Sequence, residues 1–81
     1  MNLYLLGQTE QGGYDTYDAV VVAAKNEDEA RKIRPDSNDW TEETYVHGSW
    51  ASSPDKVIVI LIGKAVKGTE QGVILSSFNA G

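Results

Sequence analysis

Ala19-Val20-Val21-Val22-Ala23-Ala24-Lys25-Asn26-Glu27-Asp28-Glu29-Ala30-Arg31 is the stretch on which the fold turns. Its first half is apolar at odd and even positions alike and β-branched in the middle, the pattern of a strand buried on both faces. Its second half opens with Asn26, a good N-cap, followed three residues on by Glu29 as a capping-box partner. Glu27 and Asp28 lie at the positive end of the helix dipole, and Arg31, Lys32 and Arg34 complement the negative end. Pro35 cannot continue the ladder and pushes the residue before it toward extended geometry, so the helix stops there. Only Ala30 and Ile33 supply an apolar stripe. The reading is therefore a strand over 17–24 running into one short helix.

Working outward, residues 2 to 6 read as a first strand, and 7 to 16, with adjacent Gly12 and Gly13, as a loop or wide turn. On the C-terminal side, 57 to 62 (Val-Ile-Val-Ile-Leu-Ile) form a second segment apolar on both faces, and 72 to 78 supply the last strand. Between them, 36 to 54 is polar, with Trp40, Tyr45, Val46 and Trp50 spaced through it. We expect it to be irregular, with at most one short strand near 44 to 47. The order predicts a single α+β domain over 1–81: a small, mostly antiparallel sheet of four to five strands, with one short helix after strand 2. One short helix covers one sheet face, yet two strands ask for burial on both. Either the segment from Trp40 to Trp50 folds over the second face or another chain does. The expectation is a homo-oligomer, by default a symmetric dimer.

Composition narrows the chemistry. The 81 residues contain no cysteine, which removes disulfides, thiolate zinc sites, iron–sulfur clusters and cysteine nucleophiles, and fits a reducing compartment. No apolar run approaches the roughly 20 residues that span a bilayer, and the N-terminus has no basic leader, so the expected location is the cytoplasm, away from membranes. Twelve acidic against seven basic side chains give a net charge of -5, which disfavours duplex nucleic acid as a partner. The charge is uneven, because Lys56, Lys64 and Lys67 are the only charged residues from 56 to 69; that local basic character suits a small anionic ligand.

Catalytic constellations are missing their parts. His47 is the one histidine and has no serine or carboxylate at a triad spacing; no nucleophile-elbow serine and no Gly-rich phosphate loop is present. Asp36, Asp39, Glu42 and Glu43 are acidic, but Trp40 takes the fifth position of a calcium loop begun at Asp36. Asp15 and Asp18 in an extended segment point to opposite faces, so a joint acid/base role needs a turn between them. We therefore expect no enzyme, no metal and no cofactor; an unfamiliar site using Asp15, Asp18 or His47 is the enzymatic alternative. What remains is a set of aromatic and polar groups in loops. Tyr14, Tyr17, Trp40 and Trp50 are stacking candidates, Lys56 and Lys64 are candidate phosphate partners, and Asp15 is a polar contact.

Tyr14-Asp15-Thr16-Tyr17-Asp18 followed by Val20-Val21-Val22-Ala23-Ala24, the helix segment Asp28 to Ile33, Ser53-Pro54-Asp55-Lys56-Val57 and the ending Ser76-Ser77-Phe78-Asn79-Ala80-Gly81 together resemble a family of small uncharacterised proteins of phages, prophages and bacteria. The resemblance covers nearly the whole chain and carries no established activity. By analogy of size and origin it implies a phage-type anti-defence protein. Two modes follow: an oligomer that sequesters a nucleotide-derived signalling molecule, or an inhibitor or adaptor that blocks a host defence protein. The second mode would use a sheet face, a sheet edge or the acidic segment from Asp36 to Glu43.

Overall fold

The computed structural model describes residues 1–36, 39–41 and 48–79. Strands β1 (Asn2–Gly7), β2 (Thr16–Ala24), β3 (Ile58–Lys64) and β4 (Gly72–Asn79) form one sheet in the order β3-β1-β2-β4, with every pairing antiparallel. The helix α1 (Glu27–Arg31) follows β2, and a single 3-10 turn (Pro54–Lys56) leads into β3. Among the described residues the sheet has four strands, so the fifth of the four-to-five expectation is not among them. The short strand expected near 44 to 47 lies outside the described residues.

Register explains which side chains meet. Leu6 pairs with Val20 and Val59, and Tyr4 with Val22, placing these residues on one face. That face carries the core: Tyr4, Leu6, Val20, Val22 and Ala24 pack with Ala30, Trp50, Ala51 and Val57. Each buried aliphatic group of this kind contributes about 1.5–3 kcal/mol. The single tight helix turn cannot cover four strands, so the segment around Trp50 completes the layer.

The helix is shorter than its sequence pattern. Asn26 Oδ1 accepts the Glu29 N–H at 2.8 Å, the expected cap, and Glu27–Arg31 and Asp28–Lys32 form i,i+4 pairs at 3.4 and 3.1 Å. At the other end Lys32 N–H reaches Glu29 O and Ile33 N–H reaches Ala30 O, tightened contacts that close the helix before Arg34. Arg34, expected to complement the helix dipole, instead turns inward. Its side chain is 2% exposed and bonds both oxygens of Asp36, Nε to Oδ1 at 2.9 Å and Nη2 to Oδ2 at 2.7 Å. This bidentate geometry is what lets a guanidinium leave water.

The strand over 57–62, expected to need burial on both faces, is an edge strand. Ile58, Ile60, Leu61 and Ile62 are each half or more exposed. β4 forms the opposite edge, and Ile74 and Leu75 are likewise exposed. Register shifts at Asp18 and Ile74 in β2/β4, and at Ile62 in β3, bend the outer strands.

Candidate ligand-binding rim and open sheet face

The loop between β1 and β2 is built around Gln8, which is buried. Its Nε2 donates to Gln11 O at 2.7 Å and to Tyr17 O at 2.8 Å, and its Oε1 accepts the Gln11 N–H at 2.7 Å. One side chain thus satisfies the backbone of a turn that has no strand partner. Beyond it, Thr16 Oγ1 donates to Gly13 O at 2.9 Å, Asn79 Nδ2 donates to the same carbonyl, and Asp15 N–H donates to Asn79 O. These bonds hold Asp15 at φ 60, a left-handed conformation that aspartate tolerates better than most residues and that still costs free energy.

The same end of the sheet receives the segment from Ser49 onward. Tyr17 N–H donates to Ser49 O at 2.8 Å, and Glu10 accepts from the Ser52 N–H and Oγ at 2.9 Å. The two Ser52 bonds, backbone first, lower the Glu10 pKa below the ordinary glutamate value. Asp55 is lowered too, chiefly by the Ser53 hydroxyl.

The expected ligand-contacting residues are distributed as follows. Tyr14 is 75% exposed at the tip of the loop, beside Asp15. Tyr17 is half-buried against the core, and its ring meets Phe78 at 4.8 Å between centroids, tilted by 57°. Lys56 is exposed on the 3-10 turn. Trp40 donates its indole N–H to Lys32 O at 2.9 Å and takes the Arg34 guanidinium over its ring at 4.7 Å. Ser49 Oγ reaches Asp36 Oδ2 at 3.1 Å, which links that Arg34–Asp36 pair to the same end of the sheet.

Two candidates stand apart. Trp50 is fully buried in the core and presents no ring face to a ligand. Lys64 pairs with Asn2 at the opposite end of the sheet from the Tyr17–Phe78 pair. Sequence reasoning placed neither Gln8 nor Phe78 at the site. Phe78 was legible as the aromatic nearest the end of the last strand, whereas nothing in the sequence marks Gln8 as a loop organiser.

Among the described residues two buried donors, Arg34 Nη1 and Trp50 Nε1, have no hydrogen-bond partner. Buried donors of this type call for an acceptor such as a water molecule. Among the described residues no group of three or more His, Asp or Glu side chains is arranged to hold a metal. His47, Tyr45, Glu42 and Glu43 lie outside the described residues. No helix among the described residues is long and apolar enough to cross a membrane.

The second face of the sheet is the other distinctive surface. By register, Leu5 meets Ile60 on one side and Val21 on the other, Val21 meets Leu75, and Ala19 meets Ser77. Trp40 and Trp50, the segment expected to cover this face, pack on the helix side instead. Comparison with protein-family models, with curated proteins and with solved structures gave no match.

Proposed function

We propose that this chain is a small non-enzymatic binding protein of the anti-defence type, which sequesters a nucleotide-derived signalling molecule in the cytoplasm and does so as an oligomer. The observation that carries this reading is the rim at the Tyr17–Phe78 end of the sheet. There an exposed tyrosine, Tyr14, stands beside a constrained aspartate, Asp15, and a half-exposed phenylalanine, Phe78. Aromatic faces stack on bases whatever their identity, at about 1–3 kcal/mol each, and carboxylate and amide groups orient sugar hydroxyls or base edges. Lys56 is the cation best placed for a phosphate, being on the segment that Glu10 ties to this end through Ser52.

Thermal-shift measurements with a panel of cyclic and ADP-ribose-type nucleotides test the reading. A ligand at 100 times its Kd stabilises the fold by about 2.7 kcal/mol through mass action. The expected result is a raised Tm with one member of the panel, abolished by Tyr14→Ala without change in the unliganded Tm. No shift with any nucleotide overturns it.

A second reading, an inhibitor or adaptor that blocks a host defence protein, is favoured by the exposed apolar side chains of the second sheet face, Ile58, Ile60 and Leu75. Contiguous apolar patches above a few hundred Å² are uncommon on monomeric proteins and mark contact surfaces. Stoichiometric retention of one host protein, lost on Ile60→Lys, with no nucleotide effect, would select it.

A further inference from the structure

We infer that the open face of the sheet is a self-complementary surface on which a second copy of this chain packs, face to face, about a two-fold axis parallel to the strands. The inference rests on the oligomeric reading above and specifies its geometry. Three observations carry it.

The first is the absence of charge. On this face Leu5, Val21, Ile60 and Leu75 form one row across all four strands, and Ile58 and Ser77 belong to the same face. Ile58 and Ile60 are 50% and 51% exposed and Leu75 is 68% exposed. None of the side chains that register pairs on this face is ionisable, the exposed bulge residue Asp18 at its margin being outside the register. The net charge of -5 therefore resides elsewhere and is screened over a Debye length of about 8 Å at physiological salt. A partner of opposite charge would find nothing here to recognise, while an identical apolar face meets no repulsion at contact.

The second is relief. The β1/β3 half of the face carries Leu5, Ile58 and Ile60, and the outer strand of the other half carries Leu75. The β2/β4 half is hollowed between the Ala19–Ser77 and Val21–Leu75 pairs into a shallow depression of about 300 Å³, with the Val20–Ser76 pair as its floor. A two-fold axis along the strands sets β3 of one copy over β4 of the other, and β1 over β2. Ile58 of each copy then faces the Ala19–Ser77 hollow of the other, while Ile60 meets Leu75. An axis perpendicular to the strands would set each strand over its own copy. Isologous contacts require this kind of i-to-j reciprocity.

The third is area. Four strands at about 4.8 Å spacing and six residues at about 3.4 Å rise give a flat footprint of roughly 390 Å². Counting corrugation, two such faces remove on the order of 1,000 Å² from water, the lower bound for a specific interface. The resulting layers are helix, sheet, sheet, helix, with the sheets about 10 Å apart and aligned near -30°.

The axis makes the row Ile60–Leu5–Val21–Leu75 face its own copy in reverse. Ile60 of one chain then lies about 10 Å from Leu75 of the other, whereas Ile60 to Ile60 is roughly 17 Å, from the sheet separation and strand spacing. Because the chain has no cysteine, single-cysteine variants report this directly. Ile60→Cys and Leu75→Cys chains, mixed and treated with a short bifunctional maleimide, are expected to give the mixed cross-link and little of either self-cross-link. Light scattering after size exclusion is expected to give twice 8.8 kDa for the parent and for the control Val66→Lys, and 8.8 kDa for Ile60→Lys and Leu75→Lys with unchanged circular dichroism. A monomeric parent, or self-cross-links dominating over the mixed one, overturns the inference. The outcomes separate from those of the nucleotide assay: a dimer that binds no nucleotide sinks the ligand reading and leaves the interface, and a monomer that binds one sinks the interface and the oligomeric state while leaving the ligand reading.

Discussion

Replacing Trp50 by leucine distinguishes a core role from a ligand-contacting one. The indole is wholly buried among Leu6, Val20, Val22 and Ala51, so the substitution removes packing and leaves a void. About 60 Å² of apolar surface lost at 25 cal/mol per Å² is about 1.5 kcal/mol. A void of about 60 Å³ at 24 cal/mol per Å³ adds about 1.4 kcal/mol. Opposing these, Nε1 has no hydrogen-bond partner among the described residues, and deleting an unsatisfied buried donor returns about 1 kcal/mol. The net loss is about 2 kcal/mol. For a domain of this length, whose total stability is on the order of 4–12 kcal/mol, that lowers Tm by about 8–16 °C. Urea unfolding followed by far-UV circular dichroism reads it without relying on tryptophan fluorescence. A Trp50→Leu protein as stable as the parent would refute the placement of Trp50 in the core. Loss of ligand binding at unchanged stability would return Trp50 to the stacking role that its sequence context suggests.

Three further outcomes follow from local geometry. Asn26→Ala removes the cap on the Glu29 N–H and is expected to cost about 1 kcal/mol, read as a lower urea midpoint at unchanged slope. Asp15→Gly relieves the φ 60 conformation and is expected to raise stability slightly, by no more than about 1 kcal/mol, whereas Asp15→Val at the same position lowers Tm. Glu10 has a depressed pKa in the folded state, so its contribution is present above the ordinary glutamate value of 4.5 and is lost as pH falls through the folded value. Urea midpoints measured between pH 6 and pH 3 are therefore expected to fall less steeply in Glu10→Gln than in the parent; identical slopes would show that the Ser52 contacts do not bind the carboxylate.

The sequence carried the sheet and the helix start because these are written in local chemistry. Ala19 to Ala24 is β-branched and apolar, Asn26 is a good cap with Glu29 at the right spacing, and both features appear in the fold. What failed was inference about neighbours. The apolar run over 57–62 matches an interior strand, yet pairing with β1 alone leaves it at the edge, and no local signal ranks strands within a sheet. Arg34 fits a helix C-terminus equally well, and its burial depends on Asp36 and Trp40 meeting it from beyond Pro35. Trp50 shows the same limit at the candidate site, since an aromatic in a polar segment reads alike whether it closes a core or faces a ligand. Tyr14, Asp15 and Tyr17 were adjacent in sequence and stayed adjacent in space. Phe78 and Asn79 joined them only through the β2–β4 register, which sets residues 16 and 17 beside 78 and 79. The expectation that two strands need cover on both faces persists in the structure as exposed Ile58, Ile60 and Leu75 on the second face.

Native mass spectrometry of the protein purified from cells bears most directly on the whole account, because it reports subunit number and bound mass in one spectrum. An oligomeric binding protein built on the open face predicts an even multiple of 8.8 kDa that carries an additional small mass matching a nucleotide-type ligand, released when Tyr14 is changed to alanine. A bare monomer at 8.8 kDa at all protein concentrations would contradict it.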